Sequence, residues 1–113
     1  MQTDFSLGLT LKDGATTVLA ATASGSEPDR SNELSSSVIE VPTATTDMVV
    51  PLGEVTPAKD ILLESDQELS VKINTSTVAI PFKALALIGT SITALTVSNA
   101  SGNLAKLKVT LKG

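Results

Sequence analysis

The strict alternation of apolar and polar residues from Ala105 to Lys112 limits what this chain can fold into more than any other feature. Ala105, Leu107, Val109 and Leu111 take one set of positions, and Lys106, Lys108, Thr110 and Lys112 take the other. Successive side chains of a β-strand point to opposite faces of the sheet, so the pattern predicts a strand with one buried face. A register slip of one residue would bury three lysines, and the pairing is therefore expected to be well specified.

Similar strand signals recur along the chain, separated by turn residues. Asp13-Gly14 is a strong hairpin dipeptide, and Pro42, Pro51 and Pro81 are expected to stop strands because proline has no N–H for a ladder. The predicted strands are 5–11, 15–23, 38–41, 48–50, 69–73, 78–80, 84–88, 92–98 and 105–112. About nine short strands at this spacing predict an all-β fold, an antiparallel β-sandwich that is jelly-roll-like and forms a single domain over residues 1–113.

The polar stretch from Ser24 to Ser37 interrupts this pattern and is predicted to be the longest loop. It has no apolar periodicity and contains Gly25 and Pro28. Long loops in compact domains are often binding elements. Two interpretations stay open at this point, a contact arm and a surface excursion without a role.

Composition and charge exclude several classes of function. The 113 residues carry a net charge of −4, which argues against a general nucleic-acid binder and against an anionic membrane surface as partner. No apolar run approaches the roughly 20 residues that span a bilayer. The start Met1 to Asp4 lacks the basic and apolar regions of a secretory signal, so synthesis in the cytoplasm is expected. With two Phe and no Trp or Tyr, the core is expected to be thin and to be helped by oligomerisation.

The chain lacks the residues that most catalysis needs. With no histidine and no cysteine, it has no histidine base, no thiol nucleophile and none of the usual zinc ligands. A carboxylate pair for glycoside hydrolysis is formally possible, but aromatic platforms for a sugar are almost absent. We therefore predict a protein that is not an enzyme and has no catalytic, cofactor-binding or metal-binding residues.

Three groups of residues have a functional interpretation beside a structural one. Glu64, Asp66 and Glu68, spaced by two, would share a face of a strand and could offer oxygen ligands to Ca²⁺, although a solvated acidic edge is the simpler interpretation. Asn74 and Asn99 begin N-glycosylation patterns but also suit turns. The lysines of 105–112 form a basic stripe, which is either a wet face or a contact with the acidic 64–68 edge of another copy.

Two blocks near the C-terminus carry a resemblance to a known class of proteins. The block Ser65-Asp66-Gln67-Glu68-Leu69-Ser70-Val71-Lys72-Ile73-Asn74, with Gly89-Thr90-Ser91-Ile92-Thr93-Ala94-Leu95-Thr96-Val97-Ser98-Asn99 after it, resembles small structural proteins of tailed bacteriophages. In those proteins a short, Ser/Thr-rich all-β chain has such a run before a last alternating strand. The resemblance covers roughly the last 50 residues, and it implies a virion component without catalytic residues, such as a capsid decoration protein or a neck or tail accessory protein.

The expected function is thus that of a non-enzymatic bacteriophage virion protein that decorates and stabilises the capsid through symmetric oligomeric contacts. The expected partners are further copies of the chain, with a trimer favoured, and the phage major capsid protein or other virion proteins, but no nucleic acid and no membrane. The expected location is the virion, after synthesis in the host cytoplasm. The alternatives are a phage neck, tail or fibre-attachment accessory protein and, from another class, a cell-surface or carbohydrate-binding β-module.

Overall fold

The computed structural model describes residues 3–27 and 33–113, and within them the chain is all-β, antiparallel and without helices. Eight strands form in these ranges. They are β1 (Thr3–Asp13), β2 (Thr16–Glu27), β3 (Leu34–Val41), β4 (Thr45–Val49), β5 (Asp60–Ile73), β6 (Ile80–Leu87), β7 (Leu95–Asn99) and β8 (Ala105–Lys112).

The backbone groups into two compact units, Met1–Ser31 and Asn32–Gly113. The first unit contains the hairpin of β1 and β2, whose antiparallel register runs from Thr3 opposite Glu27 to Asp13 opposite Thr16. The two-residue turn between the strands is Gly14-Ala15, and Asp13 of the predicted Asp-Gly turn is the last residue of β1. The first turn residue, Gly14, has φ +61°, which is the conformation that a type II′ hairpin turn needs there.

The second unit contains one curled six-stranded sheet with the order β3-β8-β5-β7-β4, and β6 pairs with β5 as well. Strand β5 organises this sheet because its two halves have different neighbours. Residues 60–65 pair with β8, and residues 70–73 pair with β7. Strand β6 follows the opposite edge of both halves, with an irregularity between Glu64 and Leu69.

The core lies on the inner face of this sheet and follows the predicted period of two. In β8 the side chains of Ala105, Leu107, Val109 and Leu111 are buried, and the residues between them are exposed or half-buried. In β5 the buried side chains are Ile61, Leu63, Leu69 and Val71. Burial of such aliphatic side chains is the main stabilising contribution to a fold of this kind.

One strand, Ile80–Leu87, stands where the sequence predicted two, 78–80 and 84–88, so the prediction that Pro81 ends a strand was wrong. Pro81 lies inside β6, opposite Ser70 of β5. Strand β6 has β5 as its only strand neighbour in the described residues, and an edge strand tolerates proline. The side chains of 85–88 are half-buried rather than covered on both faces.

The predicted loop from Ser24 to Ser37 is strand at both ends. Strand β2 continues to Glu27, and β3 begins at Leu34; residues 28–32 lie outside the described residues. Serine favours turns only weakly, and pairing with a neighbouring strand overrides that preference. Likewise, the predicted strand 92–98 begins only at Leu95, because Ile92 makes an isolated bridge to Ala58 instead.

Candidate functional site

The acidic trio Glu64, Asp66 and Glu68 is exposed, and part of it is engaged within the chain. The Oδ1 atom of Asp66 accepts a hydrogen bond of 2.9 Å from the backbone N–H of Lys106. Asp66 thereby binds an amide of β8 just beyond the last register pair between β5 and β8. In the part of the chain that the structure describes, no group of three or more acidic side chains is placed to hold a metal ion.

The predicted basic stripe on β8 is balanced by carboxylates of the same chain. The register places Lys112 opposite Asp60, Lys108 opposite Glu64, and Lys106 opposite Glu40. Opposite charges on directly opposed residues of one face stabilise a sheet by roughly 0.2–1 kcal/mol per pair. The stripe therefore has acidic neighbours without any contact with another copy.

Asn99 is a structural residue that the sequence indicated only as a turn or glycosylation candidate. Its side chain is 1% exposed, and its amide is fully engaged. Nδ2 donates to the carbonyl oxygens of Val41 and Asn103 at 2.9 and 2.8 Å, and Oδ1 accepts from the N–H and the hydroxyl of Ser101 at 3.0 and 2.7 Å. Because a buried amide needs such partners, Asn99 joins the end of β3 to the turn between β7 and β8.

Asn74, the other candidate for glycosylation, has φ +56° and joins two turns. Its Oδ1 accepts hydrogen bonds from the N–H and the hydroxyl of Thr93 at 2.8 and 3.2 Å, and its Nδ2 donates to the carbonyl of Ser91 at 3.2 Å. An asparagine with a positive φ and local hydrogen bonds is typical of a turn. The side-chain amide of Asn74 therefore has a structural role at this position.

The surface depressions of the described residues offer hydrogen-bonding groups and little other chemistry. One of about 400 Å³ lies between the start of β3 and the segment 51–55 and has Glu33 and Glu54 in its lining. A second, of about 460 Å³, is lined by small and polar residues of 43–46 and 98–102, without any acidic or basic side chain. The lining of the first depression also includes the side chains of Ser35 and Ser37.

The edges of the six-stranded sheet differ in how they are protected against pairing with other strands. Strand β6 contains Pro81 and Lys83, and both residue types block an added strand. Strand β4 is short, and its register is broken at Asp47, which has φ +50°. Strand β3 has neither proline nor lysine, and its register with β8 is regular from Leu34 to Val41.

Two apolar side chains mark the β3 edge on the outer face of the sheet. Leu34 is 68% exposed and Val38 is 64% exposed. This edge was not predicted from the sequence, because residues 34–37 were expected to be part of a loop. The sequence does contain a signal for it. Leu34, Ser36 and Val38 occupy alternate positions, so their side chains lie on the same face of a strand.

Comparison with protein-family models, with curated proteins and with solved structures found no match to this chain. The described residues contain no helix that is long and apolar enough to cross a membrane.

Proposed function

We propose that this chain is a non-enzymatic structural protein of a tailed-bacteriophage virion, which decorates and stabilises the capsid through symmetric contacts between copies. The observation that carries the proposal is the β1–β2 hairpin, which belongs to a compact unit of its own, separate from the unit that contains the six-stranded sheet. The resemblance of residues 65–74 and 89–99 to phage structural proteins gives the proposal its biological setting.

The hairpin has the properties of a contact arm. With 11 residues in β1, it is roughly 36 Å long at about 3.3 Å per residue. Leu7 is 41% exposed, and its register partner Ala23 is exposed too. An isolated two-stranded ribbon is only marginally stable in water, so a further surface would stabilise it. A repetitive particle provides such a surface many times over.

The proposal extends to the class of fold and to the assembly. We propose that the curled sheet of the second unit is a jelly-roll-like sandwich, and the different neighbours of the two halves of β5 support this classification. A trimer remains the predicted oligomer. Contacts between copies would use the hairpin, the segment between β2 and β3, and the edges of the sheet.

The test is immunogold labelling of purified particles of the phage that encodes the chain, together with a mass-spectrometric count of copies per particle. Many copies spread over the head are expected. Labelling at one vertex or along the tail would replace decoration by a neck or tail role. Absence from the particle would overturn the proposal, and selective binding to a glycan array would then favour the carbohydrate-binding alternative.

A matched pair of variants tests the role of the hairpin in the same particles. Leu7→Lys places a charge on the exposed apolar position of β1, and Leu104→Lys places it on a leucine of the other unit that is exposed to a similar degree. Burying a charge at a contact is costly, so Leu7→Lys should lower incorporation at least tenfold, while Leu104→Lys should leave it unchanged. Equal incorporation of both variants would remove the hairpin from the contact.

A further inference from the structure

We propose that the outer edge of β3, which has no strand neighbour in the described residues, is a pairing site for the β3 edge of a second copy of this chain, with the two strands antiparallel about a twofold axis at Ser36. The pair would extend the sheet from one copy into the other. This inference concerns the purified chain and holds whether or not the chain belongs to a virion.

The backbone of β3 shows which groups the edge offers. The N–H of Gly113 donates to the carbonyl of Glu33 at 3.0 Å, next to the register pair of Leu34 and Lys112. Hydrogen-bonded and non-hydrogen-bonded pairs alternate along an antiparallel ladder. The odd-numbered residues of β3 therefore bond to β8, and the N–H and C=O groups of Leu34, Ser36, Val38 and Glu40 point away from it.

The protection of the other edges indicates that the β3 edge is kept open. Natural sheets block exposed edges with proline, lysine, bulges or short strands, because an open edge pairs with other chains. In the described sheet, β6 has Pro81 and Lys83, and β4 has the break at Asp47. Strand β3 has eight residues in regular register and none of these devices.

A second copy fits this edge because the β3 sequence is complementary to itself in one register. With Ser36 opposite Ser36 of the second copy, Leu34 lies opposite Val38 of that copy, and Val38 lies opposite its Leu34. The two exposed apolar side chains of the strand then cover each other on the outer face. On the inner face, Ser35 lies opposite Ser37, and serine hydroxyls can bond across strands.

The neighbouring registers are less favourable. A twofold axis at Ser37 would place Leu34 opposite Glu40, an apolar side chain against a charge. An axis at Val38 would place Leu34 opposite Pro42, which has no N–H to donate. The geometry thus favours the axis at Ser36 over these two registers, and a cysteine scan can detect it.

The first measurement is the mass of the purified chain by light scattering over a concentration series. A single strand pair is a small interface, so we expect the mass to rise towards twice the 11.6 kDa of the chain between roughly 10 and 1000 µM. A threefold contact elsewhere would give multiples of three in addition. A mass of one chain over the whole series would overturn the proposal.

The second measurement compares Ser36→Pro with Ser36→Ala. Both variants lose the hydroxyl that lies 3.4 Å from the hydroxyl of Thr110, but only proline removes the outward N–H. Ser36→Pro should weaken pairing at least tenfold with a similar melting temperature, and Ser36→Ala should pair as the parent chain does. If Ser36→Pro fails to fold, Val38→Lys replaces it, because lysine on the edge blocks pairing without touching the ladder to β8. Pairing that survives in a folded variant of either kind would overturn the proposal.

The third measurement tests the register by oxidation of single-cysteine variants, which is clean because the chain has no cysteine of its own. Opposed residues of a hydrogen-bonded pair have Cα atoms about 5.5 Å apart, within the range of a disulfide. Ser36→Cys should therefore form a covalent dimer, and Ser37→Cys and Val38→Cys should not. A dimer formed by Val38→Cys in place of Ser36→Cys would refute the proposed register.

Discussion

Strands β1 and β8 have the same alternating pattern but different surroundings. In β8 the apolar side chains are buried in the core of the second unit, where Leu107 is 0% exposed, and β3 and β5 flank the strand on both edges. In β1, Leu7 is 41% exposed, and β2 is the only strand neighbour in the described residues. Alternation therefore predicts that a segment is a strand, whereas burial of its apolar face depends on segments that lie far away in the sequence.

The largest effect that this comparison predicts is the contrast between Leu107→Ala and Leu7→Ala. Truncation of the buried leucine should lower the free energy of unfolding by about 3 kcal/mol, because it leaves a cavity in the core. The same truncation in β1 should cost about 0.5 kcal/mol or less. Urea denaturation of both variants measures the difference, and equal losses would show that the face of β1 is covered as well as that of β8.

The next effect concerns Asn99, the one buried polar residue found among the described side chains. Asn99→Ala should cost about 2 kcal/mol, since it removes the amide that joins the carbonyl of Val41 to the turn after β7. Asn103→Ala makes the same chemical change at an exposed position of that turn and should cost about 0.5 kcal/mol or less. Thermal unfolding of the two variants measures the loss of stability in each. A loss for Asn99→Ala as small as that for Asn103→Ala would mean that the amide of Asn99 is not important for stability.

A smaller effect is expected at the ion pair between β4 and β5. The Nζ atom of Lys72 lies 3.1 Å from Oδ1 of Asp47, and both side chains are partly exposed. Lys72→Met should cost about 0.5 kcal/mol, and the loss should shrink in high salt, which screens the pair. Lys83→Met in the edge strand β6 is the control. A loss that does not depend on salt would point to packing of the lysine stem rather than to the charge.

The smallest effect is expected from deletion of residues 1–31. The described core side chains all belong to the second unit, so the remaining chain should unfold with a midpoint within a few degrees of that of the parent chain. Loss of cooperative unfolding in the truncated chain would contradict this expectation, because it would show that the sheet needs the hairpin for its stability. Calorimetry of both chains provides the measurement.

The sequence predicts the strands whose pattern is regular and local. The alternation of 105–112 and the Asp-Gly turn after 5–11 correspond to β8 and to the β1–β2 hairpin. Strand β5 could have been found in full, because the inward positions continue through Ser65 and Gln67, which are half-buried between Leu63 and Leu69. Because these two residues are polar, the continuous alternation of inward and outward positions across them was not recognised in the sequence.

The remaining features depend on long-range pairing and could not be predicted from local patterns. Pro81 fits inside β6 only because one edge of that strand has no strand neighbour in the described residues. Asp66 and Asn99 have hydrogen-bond partners 40 and 58 positions away, at Lys106 and Val41. No local sequence pattern predicts these two contacts. The same is true of the open β3 edge, since a strand becomes an edge only through the order of the sheet.

The central position of β8 has a consequence for the synthesis of the protein. Strands β3 and β5 leave the ribosome before β8, with which both of them pair. Until β8 has been translated, β3 and β5 each have an unpaired edge where β8 will bind. Such unpaired edges make a nascent chain prone to aggregation with other chains. Pairing over so long a stretch of chain is also slow. The yield of native protein should therefore depend on the rate of translation and on chaperones more strongly than the stability of the finished sheet would suggest.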